Sequence, residues 1–149
     1  MNTDIYIRAY TPSDEIVLLQ ILQLNIPAYF AESEINDLKE YLNTEVERYF
    51  VVELNNQIIG AGGINFIDNY QEGRISWDFI HPAYQGCGIG KELLNYRLEI
   101  LKSMKSIKII SVRTSQLVYK FYEKNGFVVK EKIKEYWAKG FDMYLMIYK

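Results

Sequence analysis

The stretch ISWDFIHPAYQGCGIGKELL, residues 75–94, decides the fold of this 149-residue chain. From Arg74 to Ile80 the chain is rich in aromatic and β-branched residues, which are typical of a half-buried strand. Pro82 ends that strand because proline has no N–H for a sheet ladder. Apolar residues then recur at helical spacing, at Ile89, Leu93, Leu94, Leu98 and Leu101. The stretch therefore predicts a strand, a glycine-rich turn and a helix, in that order.

The turn has glycines at alternate positions, Gly86, Gly88 and Gly90. Glycine lets a ligand approach the backbone closely, and the helix that follows offers unpaired N–H groups at its N-terminus. Together these features favour an anion, most often a phosphate or a pyrophosphate. The dinucleotide fingerprint would need glycine at position 91, and the Walker loop would need glycine at 85 and a hydroxyl residue at 92. Neither motif is present.

What remains is Q-x-x-G-x-G after a strand, formed by Gln85, Gly88 and Gly90. It resembles the signature of the GNAT superfamily of N-acetyltransferases, which grips the pyrophosphate of acetyl-CoA. The resemblance implies acetyl-CoA as cosubstrate and a binding turn made of Gln85, Gly86, Cys87, Gly88, Ile89, Gly90 and Lys91. The alternative is a glycine-rich turn without a ligand.

The composition indicates which broad class of protein this chain belongs to. Apolar residues make up 49% of the chain, so it is globular, and we expect a single domain over residues 1–149. The net charge of −2 gives no electrostatic case for nucleic acid or an anionic membrane. The single cysteine excludes an internal disulfide and, with no signal peptide evident in residues 1–8, favours the cytoplasm. The oligomeric state is open, with a homodimer as one alternative.

Further elements follow on both sides of the central stretch. The upstream sequence predicts a strand over 5–8, helices capped by Thr11 and Ser33, and strands over 49–54 and 58–66. The downstream sequence predicts a strand over 107–113, a helix over 116–124, a strand over 127–132, a loop over 136–140 and a strand over 141–148. This order predicts an α/β (α+β) fold, a mixed and mostly antiparallel central sheet with helices on both faces. GNAT domains have the same order.

A second pattern strengthens the resemblance. GNAT chains carry N-x-x-A-x-x-[LF]-Y-E-x-x-G-F, which is matched here at Phe121, Tyr122, Glu123, Gly126 and Phe127. The resemblance implies that Tyr122 lies near the CoA sulfur and acts as the general acid that protonates the thiolate. Ser115 occupies the usual asparagine position, which contacts pantetheine, and Gln116 is the alternative if the helix is shifted by one residue.

The resemblance also implies a bulge in the strand before the turn, which splays from its neighbour. The pantetheine arm would then lie against Asp78, Phe79 and Ile80, with the Ile80 N–H as oxyanion donor. Arg74 stands where several GNAT enzymes place a glutamate base, and an arginine cannot accept a proton at neutral pH. The general base is therefore open between Glu72, Asp78, His81 and water.

These observations predict an N-acetyltransferase that transfers acetyl directly to a primary amine of a small molecule, amino acid or peptide. A ternary complex is expected because no nucleophile presents itself, and no metal is implied. By the same resemblance, residues 24–33 and 134–140 wall the acceptor side. These walls contribute Tyr29, Phe30, Glu32, Glu34, Tyr136 and Trp137, which favour a small cationic or amino-acid-like acceptor. The first alternative is a non-catalytic CoA-binding sensor or interaction module, and the second is a nucleotide-binding protein.

Overall fold

The structure of the chain is a computed structural model that describes residues 4–149. The strands are β1 (Ile5–Ala9), β2 (Arg48–Leu54), β3 (Gln57–Ile67), β4 (Glu72–Ile80), β5 (Ile109–Thr114), β6 (Phe127–Ala138) and β7 (Phe141–Tyr148). The helices are α1 (Glu15–Leu24), α2 (Glu34–Thr44), α3 (Ile89–Lys102) and α4 (Tyr119–Lys124). The signal-peptide prediction rests partly on residues 1–3, which lie outside the described part.

The seven strands in the described part of the chain form one sheet in the order β1-β2-β3-β4-β5-β7-β6. Within residues 4–149, only β4 and β5 pair in parallel, because α3 carries the chain back across the sheet between them. All other neighbouring pairs are antiparallel. The predicted mixed, mostly antiparallel sheet is confirmed.

The helices cover both faces of the sheet, as predicted. Along β2, Tyr49 and Val51 pack with α1 and α2, whereas Phe50 and Val52 pack with α3 and α4. This alternation follows from the two-residue period of a strand. The sheet therefore separates two buried cores, and a side chain on β4 reaches one or the other according to its register.

Several predicted boundaries were wrong. The strand β6 continues to Ala138, so only Lys139 and Gly140 form the turn where a five-residue loop was predicted. Most side chains of this outer ribbon are exposed, so no apolar alternation marks it as a strand. The helix α4 begins at Tyr119 rather than 116. Ser33 makes no side-chain cap to α2; instead the Glu34 carboxylate accepts the Ala31 N–H at 2.8 Å.

The bulge lies in β4. Ala61 pairs with Phe79 and Gly63 pairs with Ser76, so β4 has one residue more than β3 between these points. Trp77 takes a positive φ of 46°, and the Tyr49 hydroxyl donates to its carbonyl at 2.8 Å. The extra residue shifts the alternation, so Asp78 lies on the side of β4 that faces α3 and α4.

Beyond the bulge, β4 and β5 separate. Their parallel pairing covers only residues 72–75 of β4 and residues 109–112 of β5. The C-terminal half of β4 and the end of β5 therefore border a gap in the sheet. This gap opens into two clefts, one on each side of Asp78 and Tyr122.

Candidate active site

The first cleft, here called the loop cleft, encloses about 600 Å³ between the glycine-rich turn and α4. Gly86 and Gly88 have φ of 76° and 84°, and a Cβ added at either would meet no atom within 4 Å. These glycines are therefore required by the left-handed backbone of the turn and leave open space above it.

The N-terminus of α3 faces this space. The Glu92 N–H donates to the Gly88 carbonyl, so the N–H groups of Ile89, Gly90 and Lys91 precede the first intrahelical bond. Three lysines add positive charge along the same cleft, at Lys91, Lys120 and Lys124. The donors and the charge fit a pyrophosphate. Lys120 and Lys124 were missed because the sequence pattern does not show that α4 lies opposite the turn.

The Gln85 side chain fixes the turn rather than pointing at the helix N-terminus. Its Nε2 donates to Asn25 Oδ1 at 2.9 Å and to the Ile80 carbonyl at 3.1 Å. Asn25, just after α1, donates to the same carbonyl at 3.2 Å. Nothing in the sequence singled out Asn25, since its partners lie 55 and 60 residues away.

The Ile80 N–H points into the gap between β4 and β5. The His81 N–H donates to the Ile59 carbonyl at 2.7 Å, and Gly60 stands opposite Ile80 in the register. Gly60 and Ile80 therefore form a non-hydrogen-bonded pair of the antiparallel ladder. In such a pair the N–H and C=O groups of each residue point away from the partner strand. The Ile80 amide thus has the orientation that an oxyanion donor in the gap requires.

Tyr122 and Asp78 form a hydrogen-bonded couple at the junction of the clefts. The Tyr122 hydroxyl donates to Asp78 Oδ2 at 2.7 Å, and Arg97 Nη2 lies 2.7 Å from the same oxygen. Burial raises the pKa of the Tyr122 phenol well above its ordinary value, and the negative charge of Asp78 also raises it. The phenol therefore stays protonated at neutral pH.

Arg97, on α3, holds the Asp78 carboxylate in place. Its side chain is fully buried, with Nε bonded to the Leu93 carbonyl and Nη1 to the Gly63 carbonyl, both at 3.2 Å. A Cβ at Gly62 would come within 2.6 Å of Asp78 Oδ1 and 2.7 Å of Arg97 Nη1, so only glycine leaves room for the ion pair. The sequence did carry a signal for Arg97, since it is a charged residue on the apolar stripe of α3.

The structure brings most of the predicted cofactor residues together. Those that line the loop cleft are Asp78, Phe79, Ile80, Gln85, Gly86, Gly88, Gly90, Lys91 and Tyr122. Cys87 and Ile89 line neither cleft, and Ile89 is buried in the core. Ser115 lines the second cleft, and its Oγ accepts the Leu117 N–H at 3.2 Å. Gln116 instead bonds the Gly140 carbonyl and the Asp142 N–H of the β6–β7 hairpin.

The candidate bases differ in their positions. Glu72 Oε2 accepts the Ser111 hydroxyl at 2.6 Å, and His81 Nδ1 accepts the Ala83 N–H at 3.0 Å. Neither Glu72 nor His81 lines a cleft, whereas Asp78 lines both. Of these three side chains, Asp78 is therefore the one that borders both clefts.

The second cleft, here called the strand cleft, encloses about 420 Å³ on the α2 side of the gap. Of the residues expected to wall the acceptor, Tyr29, Phe30, Glu34 and Trp137 line it, whereas Glu32 and Tyr136 do not. Burial raises the pKa of the Glu34 carboxyl. The cleft also carries charges that the sequence analysis did not assign to it, at Glu45, Glu47, Arg74 and Arg113.

Two further findings concern residues 4–149 only. No helix in this range is long and apolar enough to cross a membrane. No three or more His, Cys, Asp or Glu side chains in this range are placed to hold a metal ion.

The strand β4 carries a bulge and separates from β5 beside a glycine-rich turn at the start of α3. This arrangement is typical of the acyl-CoA N-acyltransferase class. The chain belongs to the Acetyltransferase (GNAT) family, whose sequence profile matches residues 18–127. By family it is an acetyl-CoA-dependent N-acetyltransferase.

Two relatives and one solved structure illustrate the similarity. The chain is 37% identical over 101 residues, 65% of this chain and 67% of the relative, to the [ribosomal protein bS18]-alanine N-acetyltransferase of Haemophilus influenzae. It is 42% identical over 57 residues to an uncharacterized ycf52-like N-acetyltransferase of Prochlorococcus marinus, a match to 38% of this chain but only 31% of that protein. Spermidine N-acetyltransferase from Vibrio cholerae, solved with CoA and spermine, superposes with a TM-score of 0.72 over 98% and 95% of the two chains at 22% identity.

Proposed function

We propose that this protein transfers the acetyl group of acetyl-CoA directly to a primary amine, in particular the α-amine of an amino acid or peptide. One observation carries the proposal: the loop cleft and the strand cleft meet at the Asp78–Tyr122 couple. Two substrates that enter from opposite sides would meet there. Holding both reactants in one place supplies much of the catalysis that aminolysis of a thioester needs.

The loop cleft suits acetyl-CoA. The free N–H groups at the start of α3 would hold the pyrophosphate, and Lys91, Lys120 and Lys124 would add charge. Acetyl-CoA supplies an activated acyl group and a thiol leaving group. The Ile80 N–H would then donate to the carbonyl oxygen as negative charge develops on it.

The proton transfers that the reaction requires also fit the hydrogen-bonded side chains of Asp78 and Tyr122. During transfer the amine loses a proton and the departing thiolate gains one. Tyr122 holds a proton at the junction, and Asp78 Oδ2 accepts the hydrogen bond from it. Asp78 can take the proton of the amine while Tyr122 gives its own proton to the thiolate. The proton on Asp78 then passes along their hydrogen bond to the Tyr122 phenolate, so both residues end as they began. Arg97 holds the Asp78 carboxylate in position.

One relative, the Haemophilus influenzae enzyme, is named for acetylating an alanine of a ribosomal protein, and this supports an α-amine as the acceptor group. An α-amine is also supported by the aromatic lining of the strand cleft, which includes Phe30 and Trp137. Aromatic faces favour an ammonium group before it is deprotonated. We expect Trp137→Ala to raise the KM for the acceptor, and Glu32→Gln, outside the cleft, to leave it unchanged.

The test combines binding with turnover. A thermal-shift comparison of acetyl-CoA, CoA, ATP and NAD should show stabilisation by the first two only. A CoA-release assay over peptides, amino acids, polyamines and aminoglycosides should then identify acceptors. Binding of acetyl-CoA without transfer to any amine would support the CoA-binding sensor instead. Stabilisation by ATP or NAD alone would support a nucleotide-binding protein.

A further inference from the structure

Two arginines face the strand cleft side by side. Arg74 of β4 is opposite Ser111 of β5 in the parallel register, and Arg113 lies two residues further along the same face of β5. Both arginines line the cleft. Burial is the main cause that lowers the pKa of Arg74, and the nearby positive charge of Arg113 lowers it further. One wall of the cleft thus carries two adjacent positive charges.

These charges are only partly neutralised. Arg74 Nη2 lies 3.3 Å from Glu72 Oε2, and that oxygen also accepts the Ser111 hydroxyl at 2.6 Å. Arg113 Nη1 donates to the Tyr136 hydroxyl at 3.4 Å. Within residues 4–149, no carboxylate oxygen lies within 4 Å of the Arg113 guanidinium. The two arginines and Glu72 leave one net positive charge in this wall.

Three glutamates also line the cleft, Glu34, Glu47 and Glu45, the residue that follows α2, and the first two of them already accept hydrogen bonds from the protein. Glu47 Oε1 accepts the Phe66 N–H at 2.9 Å and the Asn65 Nδ2 at 3.0 Å, and the Glu34 carboxylate accepts the Ala31 N–H. Donors of the protein therefore already occupy these two carboxylates, whereas the guanidinium of Arg113 has room for an acceptor. An incoming group that matches the arginines is an anion.

We propose that Arg74 and Arg113 bind a carboxylate of the acceptor, while its amine is held at the Asp78–Tyr122 couple. The proposal rests on the acetyltransferase function proposed above and names the acceptor class for that site. Guanidinium groups match carboxylates in planar, two-point geometry with charge-assisted hydrogen bonds. Arg74 is half-buried, whereas Arg113 is exposed to solvent. The same wall disfavours a polyamine, whose second cation would meet like charge.

The carboxylate can come from two sources. In an amino acid or a short peptide it is the C-terminal group, and in a longer peptide it is an acidic side chain close to the N-terminal amine. Both present the same chemistry to the arginines, so the experiment has one arm for each.

The first arm compares glycyl-phenylalanine with its C-terminal amide, and the second compares two C-terminally amidated peptides that carry Asp or Asn at the second position. We expect the carboxylate member of at least one pair to show a kcat/KM at least about tenfold higher. Arg113→Gln should remove this preference mainly through KM, and Arg113→Lys should retain part of it. Arg48→Gln, an exposed arginine of β2 that lines neither cleft, is the matched control and should keep the preference.

Arg113 is the better position to change, because Arg74→Gln would also remove the ion pair of Glu72. Equal rates for acid and amide in both arms would overturn the carboxylate proposal, as would an equal loss for both members in Arg113→Gln. The acetyltransferase proposal would survive either result. If no amine is acetylated, calorimetry of N-acetyl-glycyl-phenylalanine and its amide on CoA-loaded protein still decides the carboxylate question, and equal affinities would contradict it.

Discussion

The Tyr122 hydroxyl donates to Asp78 Oδ2 at 2.7 Å across 44 residues of sequence, and this bond joins the two clefts. The bulge in β4 makes it possible because the extra residue turns Asp78 toward α4. The buried Arg97 holds the carboxylate in place. This relationship connects a feature of sheet register to a proton donor and a proton acceptor in one site.

We predict that Tyr122→Phe lowers kcat by about 10²-fold or more, as expected for a lost proton donor, with little change in acetyl-CoA affinity. Steady-state kinetics and calorimetry measure the two quantities. Tyr119→Phe is the control, since Tyr119 lies on the same helix but packs on Tyr144 and lines neither cleft. A Tyr122→Phe enzyme with full kcat would show that this tyrosine only packs.

The turn is tested with a pair of glycines in the same conformation. Gly88 and Gly140 have φ of 84° and 82°, and an added Cβ meets no atom within 4 Å at either position. Alanine should therefore cost similar stability at both sites, about 1 kcal/mol. We predict that only Gly88→Ala, whose Cβ occupies the phosphate cradle, weakens acetyl-CoA binding in calorimetry. Equal affinity in the two variants would argue against the cradle.

The buried ion pair predicts strong coupling. Asp78→Ala leaves Arg97 charged and buried without its carboxylate, a change that costs about 3–5 kcal/mol of unfolding free energy. Adding Arg97→Leu removes the stranded charge, so the double variant should lose less than the sum of the single losses. Urea denaturation of the four proteins gives the coupling, which we expect at about 1–3 kcal/mol. Additive losses would mean that the two side chains do not depend on each other.

Glu34 predicts a pH-dependent change in stability. Burial raises the pKa of this carboxyl in the folded protein, so the folded state is favoured while Glu34 is protonated and loses stability as pH rises through that pKa. Glu34→Gln removes this loss and can still accept the Ala31 N–H. The variant should gain in unfolding temperature relative to the parent between pH 4 and pH 7. A constant difference across that range would contradict the raised pKa.

The sequence predicted the local chemistry of the site better than its long-range contacts. The strand, turn and helix of residues 74–101 could be predicted because proline, glycine and apolar spacing act locally. The bulge came from the family resemblance, since the residues of β4 do not mark its position. Asn25 could not be predicted, because its role depends on partners brought near it by the fold. Arg97 could have been, because an arginine on an apolar helix face requires a buried partner.

We propose that the acetyl group passes directly from acetyl-CoA to an amine where the clefts meet. Initial velocities with acetyl-CoA and glycyl-phenylalanine, or the best acceptor of the panel, varied together test it most directly. We expect intersecting double-reciprocal lines, one acetyl group gained by the acceptor, and no acetylated protein by mass spectrometry when the acceptor is omitted. Parallel lines with an acetylated protein intermediate would contradict direct transfer.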